Sequence, residues 1–107
     1  MTTELKGDWG YTNDPLDNGL EYKTPGILCQ DNKRLRGTLI TDQDGKLYIE
    51  QGPTQEFKDD HSEETAISKG VALSFDVACI GLWCRIRVLN DSGFNQTYLR
   101  LGWKLTD

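Results

Sequence analysis

The stretch Arg34-Leu35-Arg36-Gly37-Thr38-Leu39-Ile40-Thr41-Asp42-Gln43-Asp44-Gly45-Lys46-Leu47-Tyr48-Ile49-Glu50-Gln51 decides the fold of this chain. Leu35, Gly37, Leu39 and Thr41 alternate with Arg34, Arg36, Thr38 and Ile40, the period of 2 that puts successive side chains on opposite faces of a strand. The four turn residues Asp42-Gln43-Asp44-Gly45 follow, and Lys46 to Gln51 resume a β-rich run. Two such runs joined by a cluster ending in Asp-Gly predict a hairpin.

The pattern continues towards the C-terminus. Gly52-Pro53 closes the second run, and the polar, acidic residues 54–64 read as a surface loop. Val71, Leu73, Phe75 and Val77 alternate with Ala72, Ser74 and Asp76. Leu82, Cys84, Ile86 and Val88 alternate with Trp83, Arg85, Arg87 and Leu89. Asn90-Asp91-Ser92-Gly93 is a turn, after which Thr97, Leu99, Leu101, Trp103 and Leu105 alternate with Gln96, Tyr98, Arg100, Gly102 and Lys104. No segment keeps a helical period for three turns. Short strands with turn signals every ten residues or so predict an all-β protein, an antiparallel β-sandwich over residues 33–107.

Residues 1–32 differ. Gly7, Gly10, Gly19, Gly26, Pro15 and Pro25 punctuate them, and neither a period of 2 nor one of 3.6 holds for long. They read as an extended N-terminal arm or loop-rich lead-in, with a short strand near 26–30.

Composition narrows the function. At 107 residues the chain is one domain. Twelve Lys and Arg against seventeen Asp and Glu give a net charge of -5, the wrong sign for a protein that neutralises phosphates, so no nucleic-acid partner is expected. No apolar run is long enough to span a bilayer and the N-terminus has no signal-peptide pattern, so neither membrane nor secretory route is expected. Cys29, Cys79 and Cys84 show no metal-ligand spacing and read as free, mostly buried thiols; on separation alone a Cys79–Cys84 disulfide is the other reading. Asp42-x-Asp44-Gly45 starts like a calcium loop, but Leu47 and Pro53 stand where such a loop needs Gly and Glu. His61, in Asp59-Asp60-His61-Ser62-Glu63-Glu64, has no nucleophile beside it and reads as an acidic loop tip. No catalytic residue, metal ligand or cofactor is assigned, and an enzyme is not expected.

The strand parity points elsewhere. Arg34, Arg36, Arg85, Arg87 and Arg100 share the outward parity with Trp83 and Tyr98, while Trp9 and Tyr11 add aromatics in the lead-in. Arg and aromatic residues are enriched at protein interfaces. These residues therefore form a candidate contact face; the alternative is a solvated sheet surface whose arginines pair across strands with Asp and Glu.

The run from Gly37 to Gln51 also resembles small structural proteins of tailed bacteriophages, in which a G-x-(hydrophobic)-x-x-D-x-x-G-x-L-x-(I/V)-E-Q stretch opens a jelly-roll-like sandwich. Residues 71–77, Trp83-Cys84-Arg85-Ile86-Arg87-Val88-Leu89-Asn90 and Gln96-Thr97-Tyr98-Leu99-Arg100-Leu101 are similar to later strands of that group, so the resemblance spans about residues 37–105. Trp83-Cys84 departs from the group's aromatic–Val pair, and the first third of the chain has no counterpart. The resemblance implies a virion structural protein made in the host cytoplasm, foremost a capsid decoration (cement) protein. Its implied partners are its own copies, as a homotrimer, and the phage major capsid or other virion proteins. The second reading is a receptor- or glycan-binding module of a tail or head fibre, with sugars stacked on Trp83, Tyr98 or Trp9.

Overall fold

A computed structural model of the chain describes residues 4–6, 9–29, 33–53, 61–80 and 83–106, with the backbone alone at Glu4–Lys6, Trp9 and His61. Ten strands are present among the described residues: β1 (Glu4–Lys6), β2 (Trp9–Thr12), β3 (Glu21–Lys23), β4 (Ile27–Leu28), β5 (Arg34–Thr41), β6 (Gly45–Gly52), β7 (His61–Ile67), β8 (Leu73–Ala78), β9 (Trp83–Leu89) and β10 (Leu99–Thr106). None of these residues is helical. The strands form two antiparallel sheets. The first has the order β1-β2-β10-β5-β8; the second has the order β3-β9-β6-β7, with β4 pairing beside β3 on β9. The predicted all-β antiparallel sandwich is the observed architecture.

The alternation read from the sequence is what the two sheets bury between them. Leu35, Leu39, Leu99, Leu101 and Trp103 point inward from the first sheet and meet Leu47, Ile49, Cys84, Ile86 and Val88 from the second. Each fully buried aliphatic side chain contributes about 1.5–3 kcal/mol. The largest of these side chains needs a gap opposite it. A Cβ on Gly10, which faces Trp103 in the β2–β10 ladder, would sit inside the indole. A Cβ on Gly37 would strike the Phe75 ring and the Gly102 carbonyl. Two glycines in the strand interiors therefore make room for two rings.

Residues 42–45 do not close a hairpin. β5 pairs with β10 and β8 in the first sheet, and β6 pairs with β9 and β7 in the second. The turn is a corner between sheets, and its carboxylates hold other loops rather than each other. Asp42 accepts hydrogen bonds from the Thr97 amide (2.9 Å) and hydroxyl (2.6 Å), and Asp44 accepts one from the Lys69 amide (2.9 Å). A period of 2 survives such a crossing because both strands face the same core, so alternation cannot distinguish a hairpin from a corner.

Two other expectations change. Residues 61–64 are not loop: they open β7, which runs antiparallel to β6 at the edge of the second sheet with Glu63 opposite Ile49 and Glu64 opposite Tyr48. Residues 62–66 are exposed and only Ile67 is buried, so the strand has no alternating pattern to read. Charge along an edge discourages pairing with another chain. The remainder of the predicted loop, residues 54–60, lies outside the described residues.

In the lead-in, expected to be an extended arm or loop-rich, residues 9–29 supply strands to both sheets and bury Leu16, Tyr22 and Cys29. The predicted strand near 26–30 appears as β4. Residues 13–20 are fixed by polar side chains from the β9–β10 connection. Asn90, fully buried, donates from its amide nitrogen to the carbonyls of Leu16 (2.9 Å) and Phe94 (2.8 Å). The Gln96 side chain accepts from the Leu16 amide (2.8 Å). Turn residues thus satisfy the backbone of an irregular segment that has no ladder of its own. The rest of 1–32 lies outside the described residues or, at β1, is described by backbone alone.

Candidate interaction surfaces

The nine residues proposed as a contact face do not share one. β5 and β10 belong to the first sheet, so Arg34, Arg36 and Arg100 point outward from it, with Tyr98 just ahead of β10 and Tyr11 on β2. β9 belongs to the second sheet, so Trp83, Arg85 and Arg87 point outward on the opposite side of the sandwich. Trp9 lies on β2, but its side chain is outside the described set. Parity separates inside from outside and says nothing about which of two sheets a strand joins.

On the second sheet the arginines are paired with carboxylates. Glu50 is opposite Arg85 in the β6–β9 register, and the Arg85 Nε donates to it at 2.7 Å. Glu50 is only 7% exposed, and Arg87 stands on its other side at 3.6 Å. Arg87 in turn donates to Glu21 of β3 at 2.9 Å and lies over the Tyr48 ring at 4.8 Å from its centroid. Burial pushes the Glu21 carboxyl up, but hydrogen bonds from Arg87 and Lys23 outweigh it and hold that carboxyl below its ordinary value. Burial lowers Arg87, but Glu21, then Glu50 and Tyr48, outweigh it and raise that guanidinium. Cross-strand pairing, the alternative reading of these arginines, describes this face.

The first sheet is different. Arg34 and Arg36 share one carboxylate, Asp76 of β8, at 2.5 and 3.2 Å. The Arg34 hydrogen bond, with charge from both arginines, lowers the Asp76 carboxyl. Two cations on one anion leave net positive charge at that end. Arg100 lies over the Tyr98 ring, 5.1 Å from its centroid, a cation–π contact. No carboxylate among the described residues forms an ion pair with it.

Beside Arg100 the sheet is dented. Gly102, opposite both Tyr11 and Thr38, has no side chain, and the space above it is a concavity of about 240 Å³. Tyr11, Thr38, Ile40, Ala72 and Arg100 border it. The outer face of this sheet therefore offers a guanidinium, two tyrosines and a shallow apolar hollow. Arg100, Tyr98 and Tyr11 were marked by the sequence; the hollow was not, because it depends on which residues flank Gly102 from neighbouring strands.

No protein-family model matches the chain, and no curated protein matches it in sequence. Among solved structures it is similar to the crystal structure of PBSX exported protein XepA, with a TM-score of 0.79 at 19% identity. The match covers 92% of this chain and 37% of that one, so the chain spans a little over a third of its neighbour. At this identity the two share a fold.

Proposed function

We propose that the chain is a bacteriophage virion structural protein, foremost a capsid decoration protein that binds the particle through the outer face of its first sheet. The observation that carries this reading is the fold likeness over 92% of the chain to XepA, a phage PBSX exported protein. The strand order supports it. With β1 set aside, β2-β10-β5-β8 and β3/β4-β9-β6-β7 interleave as two Greek keys, the order of a jelly roll, an architecture used in viral capsids.

The protein works by contact rather than catalysis. Binding energy at such contacts concentrates in a few Arg and aromatic anchors that lose their water on docking. Arg85 and Arg87 are poor anchors, since Glu50 and Glu21 already hold them. Arg100 and Tyr98, beside the hollow bordered by Tyr11, are the better ones, and a carboxylate on a capsid subunit is the complementary group. Self-association, as a trimer, would multiply this single contact by avidity.

The test is co-sedimentation of the purified chain with phage particles lacking it. Arg100→Glu reverses the charge of the proposed anchor and abolishes co-sedimentation, whereas Arg87→Lys on the opposite sheet leaves it within twofold. Equal binding by wild type and Arg100→Glu removes this face from the mechanism. Binding to an immobilised glycan, lost in the same variant, with no binding to particles, replaces decoration by the fibre-module reading.

A further inference from the structure

The chain has three cysteines, and the fold gathers all of them at one end of the sandwich. Cys29 follows β4, Cys84 lies on β9, and Cys79 follows β8. Ile27 is the register partner of Cys84, so Cys29, two residues further along, returns to the same inward face. The Cys29 and Cys84 thiols meet at 2.7 Å between sulfurs, and both residues are buried, at 0% and 1% exposure. Two thiol sulfurs do not approach this closely even across an S–H···S hydrogen bond. The separation is within about 0.7 Å of the roughly 2.05 Å of a disulfide bond. Cys79 is half-buried, and its amide is held by the Lys33 carbonyl (3.0 Å).

We propose that Cys29 and Cys84 are a disulfide-forming pair, closed by a low-molecular-weight disulfide such as oxidised glutathione, with Cys79 remaining a thiol. The chemistry runs in two exchanges. The thiolate of one cysteine attacks a sulfur of oxidised glutathione, forming a mixed disulfide and expelling a glutathione thiolate. The thiolate of the other cysteine then attacks the protein sulfur of that mixed disulfide and expels the second glutathione. The protein loses two protons and two electrons, and one glutathione disulfide becomes two glutathiones.

The surroundings set when this happens. In the folded chain the contact with Cys84, and burial, raise the Cys29 thiol far above its ordinary value. Burial, and then Cys29, push Cys79 up to about 12. Thiolates are the nucleophiles, so the folded, reduced protein is slow to oxidise. Closure belongs to folding, when the thiols are still in water. Once formed, the bond ties the lead-in to β9 across 55 residues of chain and is shielded from reductant.

The experiment is to refold the denatured, reduced full chain with and without oxidised and reduced glutathione, alkylate free thiols, and map the products by mass spectrometry. Chymotrypsin is used because cleavage after Trp83 separates Cys79 from Cys84, which trypsin leaves on one peptide. The expected product is a Cys29–Cys84 linked peptide with Cys79 alkylated, and a Tm about 10–15 °C above that of the reduced chain. Adding oxidant to the already folded chain gives the same bond at least tenfold more slowly. Cys79→Ser gives the same bond and the same rise in Tm, while Cys84→Ala gives neither. A bond that involves Cys79, or three free thiols after oxidative refolding, overturns the proposal.

Discussion

Replacing Asn90 by Ala tests whether the irregular lead-in is part of the fold or a strap upon it. Asn90 is completely buried, and its side chain makes four hydrogen bonds. The amide nitrogen donates to the Leu16 and Phe94 carbonyls at 2.9 and 2.8 Å, and the amide oxygen accepts from the Ser92 amide (3.2 Å) and hydroxyl (2.7 Å). Not all partners would be orphaned. The Leu16 carbonyl keeps the Gln96 amide (2.9 Å), and the single Ser92 hydroxyl proton, released from Asn90, can turn to the Phe94 carbonyl (3.0 Å). The loss is therefore two or three net hydrogen bonds at about 1 kcal/mol each, in a site too buried for water to replace them freely, so about 2–3 kcal/mol in all. For a domain of this size that lowers Tm by about 8–15 °C. Asn90→Asp should cost more than Asn90→Ala, because a carboxylate would face the two carbonyls it can no longer donate to. Asn95→Ala removes only the exposed bond from the Asn18 amide and should cost less than about 1 kcal/mol. The assay is urea unfolding of the three variants, with amide hydrogen exchange as local readout: protection at Gly19, whose amide bonds the Asn90 carbonyl (2.7 Å), should fall in Asn90→Ala. If Asn90→Ala and Asn95→Ala destabilise equally, residues 13–20 are not held by the buried amide and the argument fails.

Gly10→Ala should cost about 1–3 kcal/mol, since the added methyl must displace the Trp103 indole; thermal unfolding against wild type checks it. Arg85→Met strands Glu50 with its more distant partner Arg87 and should cost about 2–3 kcal/mol, most of which Glu50→Met in the same chain restores; a urea double-mutant cycle measures it. The carboxyls of Glu21, Asp42 and Asp76 all titrate lower in the folded chain than in the unfolded one, so below their unfolded values the unfolded chain binds more protons. Their stabilisation is complete above about pH 4.5 and is lost as pH falls through the depressed folded values. Asp42→Asn, which keeps one acceptor oxygen for the Thr97 amide but removes the titrating carboxylate, should flatten the acid limb of a Tm-against-pH curve measured from pH 2 to 7.

Leu35, Leu39, Leu47, Cys84, Ile86, Val88, Leu99, Leu101 and Trp103 could be assigned to the core from alternation, because each lies on a strand with one dry face. β7 could not: Glu63, Glu64 and their neighbours are exposed, and an edge strand wet on both faces has no period. The corner at 42–45 was misread as a hairpin because Asp-Gly signals a sharp turn without saying which partner the next strand takes. That same ambiguity merged Arg85 and Arg87 with Arg100 on one imagined face. Strand parity is local, whereas sheet membership is set by pairings between residues some sixty positions apart, such as Gly37 with Trp103. The cysteine pair is hidden for the same reason: Cys29 and Cys84 meet only because β4 lies beside β9.

If the chain is a component of phage particles, as we propose, it is bound to them in a fixed ratio. Quantitative mass spectrometry and electron cryomicroscopy of phage particles purified from an induced lysate of the source cells test it most directly. The expected result is the chain on the particle at a fixed number of copies per capsid subunit, with density for the sandwich seated on its Arg100 face. Particles free of the chain, with all of it in the soluble fraction, would contradict it.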